Sequence, residues 1–422
     1  MSRCFGSGET SAAARRPTLA AGFALAGEAI AFMSLYLAAG AVMPLLVVYQ
    51  DQWSLPPTLL TQAFAVFAIG FLSTVITAGS LSDHVGRRPV LMSALVIQLA
   101  SNIVFLMAPD IGWVIIGRIM QGVATGAATT TFTAALIELA PPNRKAVGTI
   151  LGSVSLTGGL AVGSLLAGVT IQLTTNANSI VFSVLIIMTM LGIVVIALSP
   201  ETARRAPGAL RSLLPRAAVP ISARKEFAAA MPAIAAIWML SGFSGGLAPS
   251  MVRSVFHFDS GLLNGICGFV APAASALTGL SLARVESRRL MAAGICASIV
   301  GASSIAAGAS AGSLALMIAG QTVAGAGFGA SFAAALRLVL PRAVTSRRAE
   351  VASAIYLVSY IAFGVPVVIA GKLTASLGIV STVAWSSAVS ALLALASLLA
   401  QFRLAQARQA RSVAGVPNRA SG

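Results

Sequence analysis

Apolar residues along this chain run nearly unbroken for twenty positions or more, then stop at short polar segments. A soluble helix would keep a polar face within such a run. About 20 apolar residues at 1.5 Å each are what a helix needs to cross the hydrocarbon core of a bilayer. The pattern predicts spans at 24–48, 58–80, 89–108, 111–137, 146–171 and 179–199, and then at 228–250, 261–283, 289–309, 313–337, 350–372 and 378–402. Prolines at 56, 57, 89, 109, 141, 142 and 200 mark several ends, where a missing N–H costs no helical hydrogen bond. The expectation is an all-α membrane protein of twelve spans. Residues 1–200 form a first six-helix bundle and 228–402 a second. A basic, proline-bearing linker (201–227) lies between them, and 403–422 is a loosely ordered basic tail.

Composition agrees: 57% of residues are hydrophobic and only 9% charged. A net charge of +16 would suggest nucleic acid in a soluble protein, but here the charge sits in loops. All but three of the 27 Lys and Arg fall in the tails and even-numbered connections; the exceptions are Arg118, Arg253 and Lys372. Asp51, Asp110 and Asp259 lie in the opposite loops. This bias puts both termini in the cytoplasm, as expected for a bacterial inner-membrane protein. Arg15 and Arg16 precede an apolar run (19–49) too long for a cleaved signal, so the first helix reads as an anchor. Cys4, Cys267 and Cys296 show no pairing pattern, and His84 and His257 assemble no metal site. No phosphate-binding loop or nucleophile–His–Asp set is present, which argues against a pump or an enzyme. Neither cofactor nor nucleic-acid partner is expected.

The two halves resemble each other at an offset near 200 residues. Gly79 to Arg88 reads GSLSDHVGRR, and Gly279 to Arg288 reads GLSLARVESR. Gly117 to Gly126 reads GRIMQGVATG, and Gly320 to Gly329 reads GQTVAGAGFG. Repeated halves enclosing a cavity are a transporter architecture.

The loop after the second span carries the sharpest motif: Gly79, Leu81, Asp83, Gly86, Arg87 and Arg88. Gly79 permits close packing and Gly86 a tight turn, while Asp83 can accept from Arg87 or from a helix N-terminus. Such a group can hold one conformation and release in another. These residues resemble the hallmark motif of the major facilitator superfamily, G-x-L-x-D-x-x-G-R-[KR], with His84 where the family often has arginine. Arg118, Gln121, Gly122 and Gly126 resemble its second motif, R-x-x-Q-G-x-x-x-G. The resemblance links Arg118, with Gln121 one turn away, to proton coupling. An arginine here either faces a cavity or partner, or snorkels to the nearby surface. Gly122 and Gly126 offer a small-residue packing face. The resemblance also admits Glu138 to the latch, although a solvated helix-end charge is equally open.

Gly159, Gly163 and Gly168, with Ser164 and Ala167, resemble the fifth-helix motif of drug–proton antiporters, G-x-x-x-G-P-x-x-G-G. Ser164 replaces the proline and Ala167 one glycine, so the expected kink is missing. The face is expected to pack tightly between the halves. Ser199-Pro200-Glu201-Thr202 resembles a short superfamily signature. Together the resemblance implies a secondary transporter of a small organic solute, working as a monomer by alternating access. Its preferred form is proton-coupled efflux of drugs or metabolites; proton-coupled uptake by the same fold is the alternative, and a non-transporting membrane scaffold stands behind both.

Glu28 is the candidate proton carrier if it lies in the membrane core, or an ordinary interfacial charge if it does not. Pro44 falls where similar transporters break the first helix. In the second half Ala283 stands in place of Asp83 and Gln321 in place of Arg118. Tyr36, Asn264, Gln321, Tyr356 and Tyr360 are the polar candidates for a central cavity, or else packing contacts. Gly364 and Pro366 suggest a bend in the eleventh span.

Overall fold

The computed structural model describes residues 19–203, 206–209, 217–282, 284–344 and 347–413. Expectations placed on Arg204, Arg205, Arg211, Arg216, Ala283, the first 18 residues and the tail beyond Val413 lie outside these. The described residues are helical, and twelve helices are long and apolar enough to cross a membrane. They are α1 (Ala21–Trp53), α2 (Pro57–Ala78), α3 (Arg87–Leu106), α4 (Ile111–Leu139), α5 (Lys145–Leu173) and α6 (Ala177–Leu198). Then come α7 (Ile221–Gly246), α8 (Gly261–Ser281), α9 (Ser287–Ser310), α10 (Leu314–Val339), α11 (Arg348–Leu377) and α12 (Ile379–Val413).

Local chemistry sets many of the ends. Asp110 caps α4 by accepting from the Gly112 and Trp113 amides at 2.8 and 3.4 Å. Ser260 and Ser313 cap α8 and α10 in the same way. Gly86, at φ 104°, separates a one-turn helix (Ser82–Val85) from α3, a backbone angle that suits glycine.

Helices 1–6 pack on one another, as do helices 7–12, and the two groups meet chiefly along α5/α8 and α2/α11. Phe32, Phe64, Phe71, Phe105, Phe132 and Phe182 are fully buried. Ile69, Leu173, Leu191, Trp385 and Leu392 point outward and exposed, the surface that lipid rather than water covers.

Four expectations change. Helix α1 runs unbroken through Pro44, because only the Gly40 carbonyl loses its partner there. Helix α7 begins at Ile221, within the interval read as linker, since Pro220 supplies a ready helix start. Helix α12 continues to Val413, so part of the tail read as loose is helical: the polar end of a membrane helix extends beyond the apolar run that reveals it. The small face of α5 is divided. Gly159 and Gly163 press on α1 of the same half, against Met33 and Leu37. Only Gly168 and Ser164 meet the other half: a Cβ on Gly168 would lie 2.5 Å from the Gly265 Cα, and Ser164 Oγ donates to the Gly265 carbonyl at 3.1 Å.

Candidate functional site

Three groups of predicted residues form, at different depths. The first gathers on the face where α1 begins and α6 ends. Arg87, in the first turn of α3, donates from Nη1 to Asp83 Oδ1 at 2.5 Å and to Ser82 Oγ at 2.7 Å. Its Nη2 and Nε reach Glu138, at the end of α4, at 2.9 and 3.3 Å. This bidentate grip ties the start of α3 to the end of α4. Asp83 does not cap α3. That place belongs to Glu201, whose carboxylate accepts from the Arg87 and Arg88 amides at 2.8 and 3.1 Å. Thr202 donates to Glu138 at 2.5 Å, and Lys145 caps the carbonyls of Ile137, Glu138 and Ala140. Arg88 donates to the Ala197 carbonyl at the end of α6. His84 joins the linker through the Pro207 carbonyl at 3.1 Å. Gly86 is required twice over, because a Cβ there would sit 2.6 Å from Glu201 Oε2. Gly79 packs within this turn, and Thr130 donates to its carbonyl at 3.2 Å.

The second group is Arg118 and Gln121. Arg118 is 2% exposed and does not snorkel. Its guanidinium donates to Gln121 Oε1 at 2.7 Å and to the Ala63 and Phe64 carbonyls of α2 at 3.3 and 3.0 Å. The Phe67 ring lies 4.7 Å below it. The charge has no carboxylate partner among these contacts; backbone dipoles and a π face hold it instead. Gly122 and Gly126 let α4 close on Phe67 and Phe71 of α2, so this arginine sits in a tight α2/α4 seam.

The third group lies between the halves at mid-depth. The Tyr36 hydroxyl shares a 2.8 Å hydrogen bond with Thr129 and faces Tyr356 and Tyr360 of the second half. Tyr360 stacks on Phe71 at 3.9 Å, and Trp238 lies 4.8 Å from it. Trp238 Nε1 is buried without a hydrogen-bond partner. Asn264 and Gln321 do not join this cluster. Asn264 is beside Gly265 in the α5/α8 seam, and Gln321 faces Ser386 and Ser387 inside the second half. Equal spacing in the repeat did not bring equal neighbours.

Glu28 is buried, 3% exposed, two turns into α1. Its carboxyl faces Ser199, and the charges of Glu201 and Glu138 act on it. It is therefore neither at mid-depth nor a solvated interfacial charge. The second half holds an ion cluster that sequence reasoning missed. Glu226 of α7, 2% exposed, accepts from Arg288 at 2.7 Å and pairs with Arg342 at 3.2 Å. An acid near the start of an apolar run was its one visible signal. Glu201 and Thr202 were visible in their signature, but their role depends on where α6 ends relative to α3.

On the opposite face the halves are tied directly. Asp51 pairs with Arg253, Ser260 donates to Gln172 at 2.9 Å, and Thr58 donates to the Gly371 carbonyl at 3.5 Å. A cleft of about 650 Å³ opens there beside Asp51 and Arg253.

A family model described as Major Facilitator Superfamily matches residues 29–365. The arabinose–proton symporter of Bacillus subtilis is 33% identical over 93 residues, 22% of this chain and 20% of that protein. The citrate–proton symporter of Klebsiella pneumoniae is 38% identical over 97 residues, 20% of this chain and 22% of that protein. The matched segment thus spans only about a fifth of the length of these curated relatives. Among solved structures, a bacterial homologue of the human lysosomal transporter Spinster, inward-facing and unoccupied, superposes with a TM-score of 0.71 at 12% identity, over 90% of this chain and 97% of the other. The nucleoside transporter NupG superposes with a TM-score of 0.65 at 12% identity, over 90% and 99%.

Proposed function

The chain belongs to the major facilitator superfamily, and on that footing we propose that it is a secondary transporter carrying a small organic solute by alternating access, coupled to protons. The observation that carries this is how the two bundles are tied. On the face bearing Arg87 and Glu226, the ion pairs named above each stay within one bundle. Between bundles the ties are a few contacts on the opposite face, narrow small-residue seams and the aromatic cluster at mid-depth. Bundles joined in this way can rock against each other about these few ties. The solute site is the cluster of Tyr36, Trp238, Tyr356 and Tyr360, which offers hydroxyls, an indole N–H and ring faces but no ionised side chain. It suits an uncharged solute with one flat or apolar face. Arg118 acts in coupling by bracing α2 against α4 beside this cluster.

Uptake is the direction we favour. Two relatives are named as proton symporters. The α5 run also departs from the antiporter pattern at Ser164, which here bonds across the halves. Export is the second reading, supported by Gly159, Gly163 and Gly168 in antiporter spacing. The excess of Lys and Arg on that face supports a cytoplasmic orientation, and a reporter inserted between Glu201 and Ile221 should read cytoplasmic. Proteoliposomes under an imposed pH gradient, offered a panel of neutral and anionic organic solutes, test the rest. Symport gives accumulation with acid outside, and export gives accumulation with acid inside. Flux indifferent to the gradient would contradict coupling, and no flux of any solute would contradict the transporter itself.

A further inference from the structure

The repeat pairs two buried acids. Glu28 and Glu226 lie 198 positions apart, near the starts of α1 and α7, and both are almost wholly buried. Their surroundings repeat as well. Arg88 and Arg288 are each the second residue of the third helix in a half. Arg144 and Arg342 each end a one-turn 3-10 helix after the fourth. Ser199 caps the end of the sixth helix, and Gln401 lies in the later part of the twelfth.

The same positions are used differently. Glu226 receives both of its arginines, and Arg288 also reaches Gln401 at 3.4 Å. Glu28 receives neither. Arg88 is turned onto the Ala197 carbonyl, and Arg144 is exposed. Among the described residues, neither Glu28 Oε2 nor the buried Ser199 Oγ beside the carboxyl has a hydrogen-bond partner. Two further cations of this face are committed elsewhere: Arg87 to Asp83 and Glu138, and Lys145 to the carbonyls at the end of α4. Among the described residues, the charged groups that act on Glu28 are the acids Glu201 and Glu138. Burying a carboxylate's charge is costly unless a cation pairs with it, and among the described residues none does.

We propose that the two halves use one repeat position in two ways: Glu226 is a permanent ion lock, and Glu28 is a proton-exchanging group that gains Arg88 as its partner only when the first-half latch opens. The reach is available, because Arg288 makes the corresponding contact from the corresponding position, and Ala197 lies two residues from Ser199. In the latched conformation Glu28 carries its proton. When Arg87 releases Glu138 and α3 shifts, Arg88 leaves the Ala197 carbonyl for Glu28, which gives that proton to water on the same face. Relatching reverses both steps. This inference rests on the proton-coupled reading above, but its first test does not need transport.

That test is infrared difference spectroscopy of the purified full chain in nanodiscs at neutral pH. The wild type should show a protonated-carboxyl carbonyl band that Glu28→Gln removes and Glu226→Gln leaves in place. Ser199→Ala, a milder change, should shift that band, which keeps the assignment testable if Glu28→Gln does not fold. Absence of the band, or its survival in Glu28→Gln, overturns the proposal. Glu226→Gln should lower the melting temperature by several degrees, and Glu28→Gln should not; equal losses would also overturn it. If the wild type accumulates solute under a pH gradient, Glu28→Gln should keep solute exchange but lose most of the gradient-driven accumulation. Full accumulation by Glu28→Gln would refute its role, whereas a wild type indifferent to the gradient would refute the proton-coupled reading instead.

Discussion

At the scale of single residues, two arginines show how neighbours decide a charge's work. Arg87, itself only 13% exposed, is a clamp between two more exposed carboxylates, so each pair contributes modestly, about 0.2–1 kcal/mol by comparison with other surface pairs. Asp83→Asn should therefore slow transport several-fold while leaving membrane insertion intact; paired measurements of flux and of protein in the membrane check this, and unchanged flux would remove Asp83 from the latch. Arg118 is the opposite case, sealed between helices with each arm of its planar fork on a different acceptor. Lysine cannot reproduce that fork. Arg118→Lys should cost at least one charged hydrogen bond, about 1.5–3 kcal/mol, seen as a lower melting temperature together with lost transport. An unshifted melt would mean the α2 carbonyls do not depend on this side chain.

At the scale of helices, glycine placement sets which pairs can approach. The α5 run looks uniform in sequence, yet its first two glycines serve α1 and its last serves α8. Gly168→Leu should block closure of the α5/α8 seam because the backbone of Gly265 occupies the space a side chain would need. Transport should fall more than tenfold while the helical circular-dichroism signal is kept. Gly159→Leu should instead disturb the packing of α1 against α5 and lower stability, since its neighbours Met33 and Leu37 lie in the same bundle. A reversed pattern in flux and melting would contradict this division.

At the scale of the whole molecule, the opposite face must open if the halves alternate. Asp51 and Arg253 bridge the halves there, both about half exposed, at the rim of the 650 Å³ cleft. Replacing both with cysteine in a chain lacking Cys4, Cys267 and Cys296 should allow a disulfide that holds this face shut. Oxidation should stop transport and reductant should restore it; transport that persists through complete cross-linking would mean the face does not open there.

Much of this was legible in the chain itself. Helix number, the two-half repeat and the loop carrying Asp83, Gly86 and Arg87 follow from run length, spacing and the conformational demands of glycine, all of which act over a few neighbouring residues. Other features depend on which helices end up side by side, and no local pattern encodes that. The cap that Glu201 places on α3, the clamp joining Arg87 to Glu138, the division of the α5 glycines and the meeting of Tyr36 with Tyr360 each join residues distant in sequence. Glu28 and Glu226 mark the boundary most sharply. Their equivalent spacing was present in the sequence, but only the fold decided that one acid is paired with two arginines and the other, among the described residues, with none, because side-chain direction at a helix start is set by packing against neighbours rather than by position in a repeat.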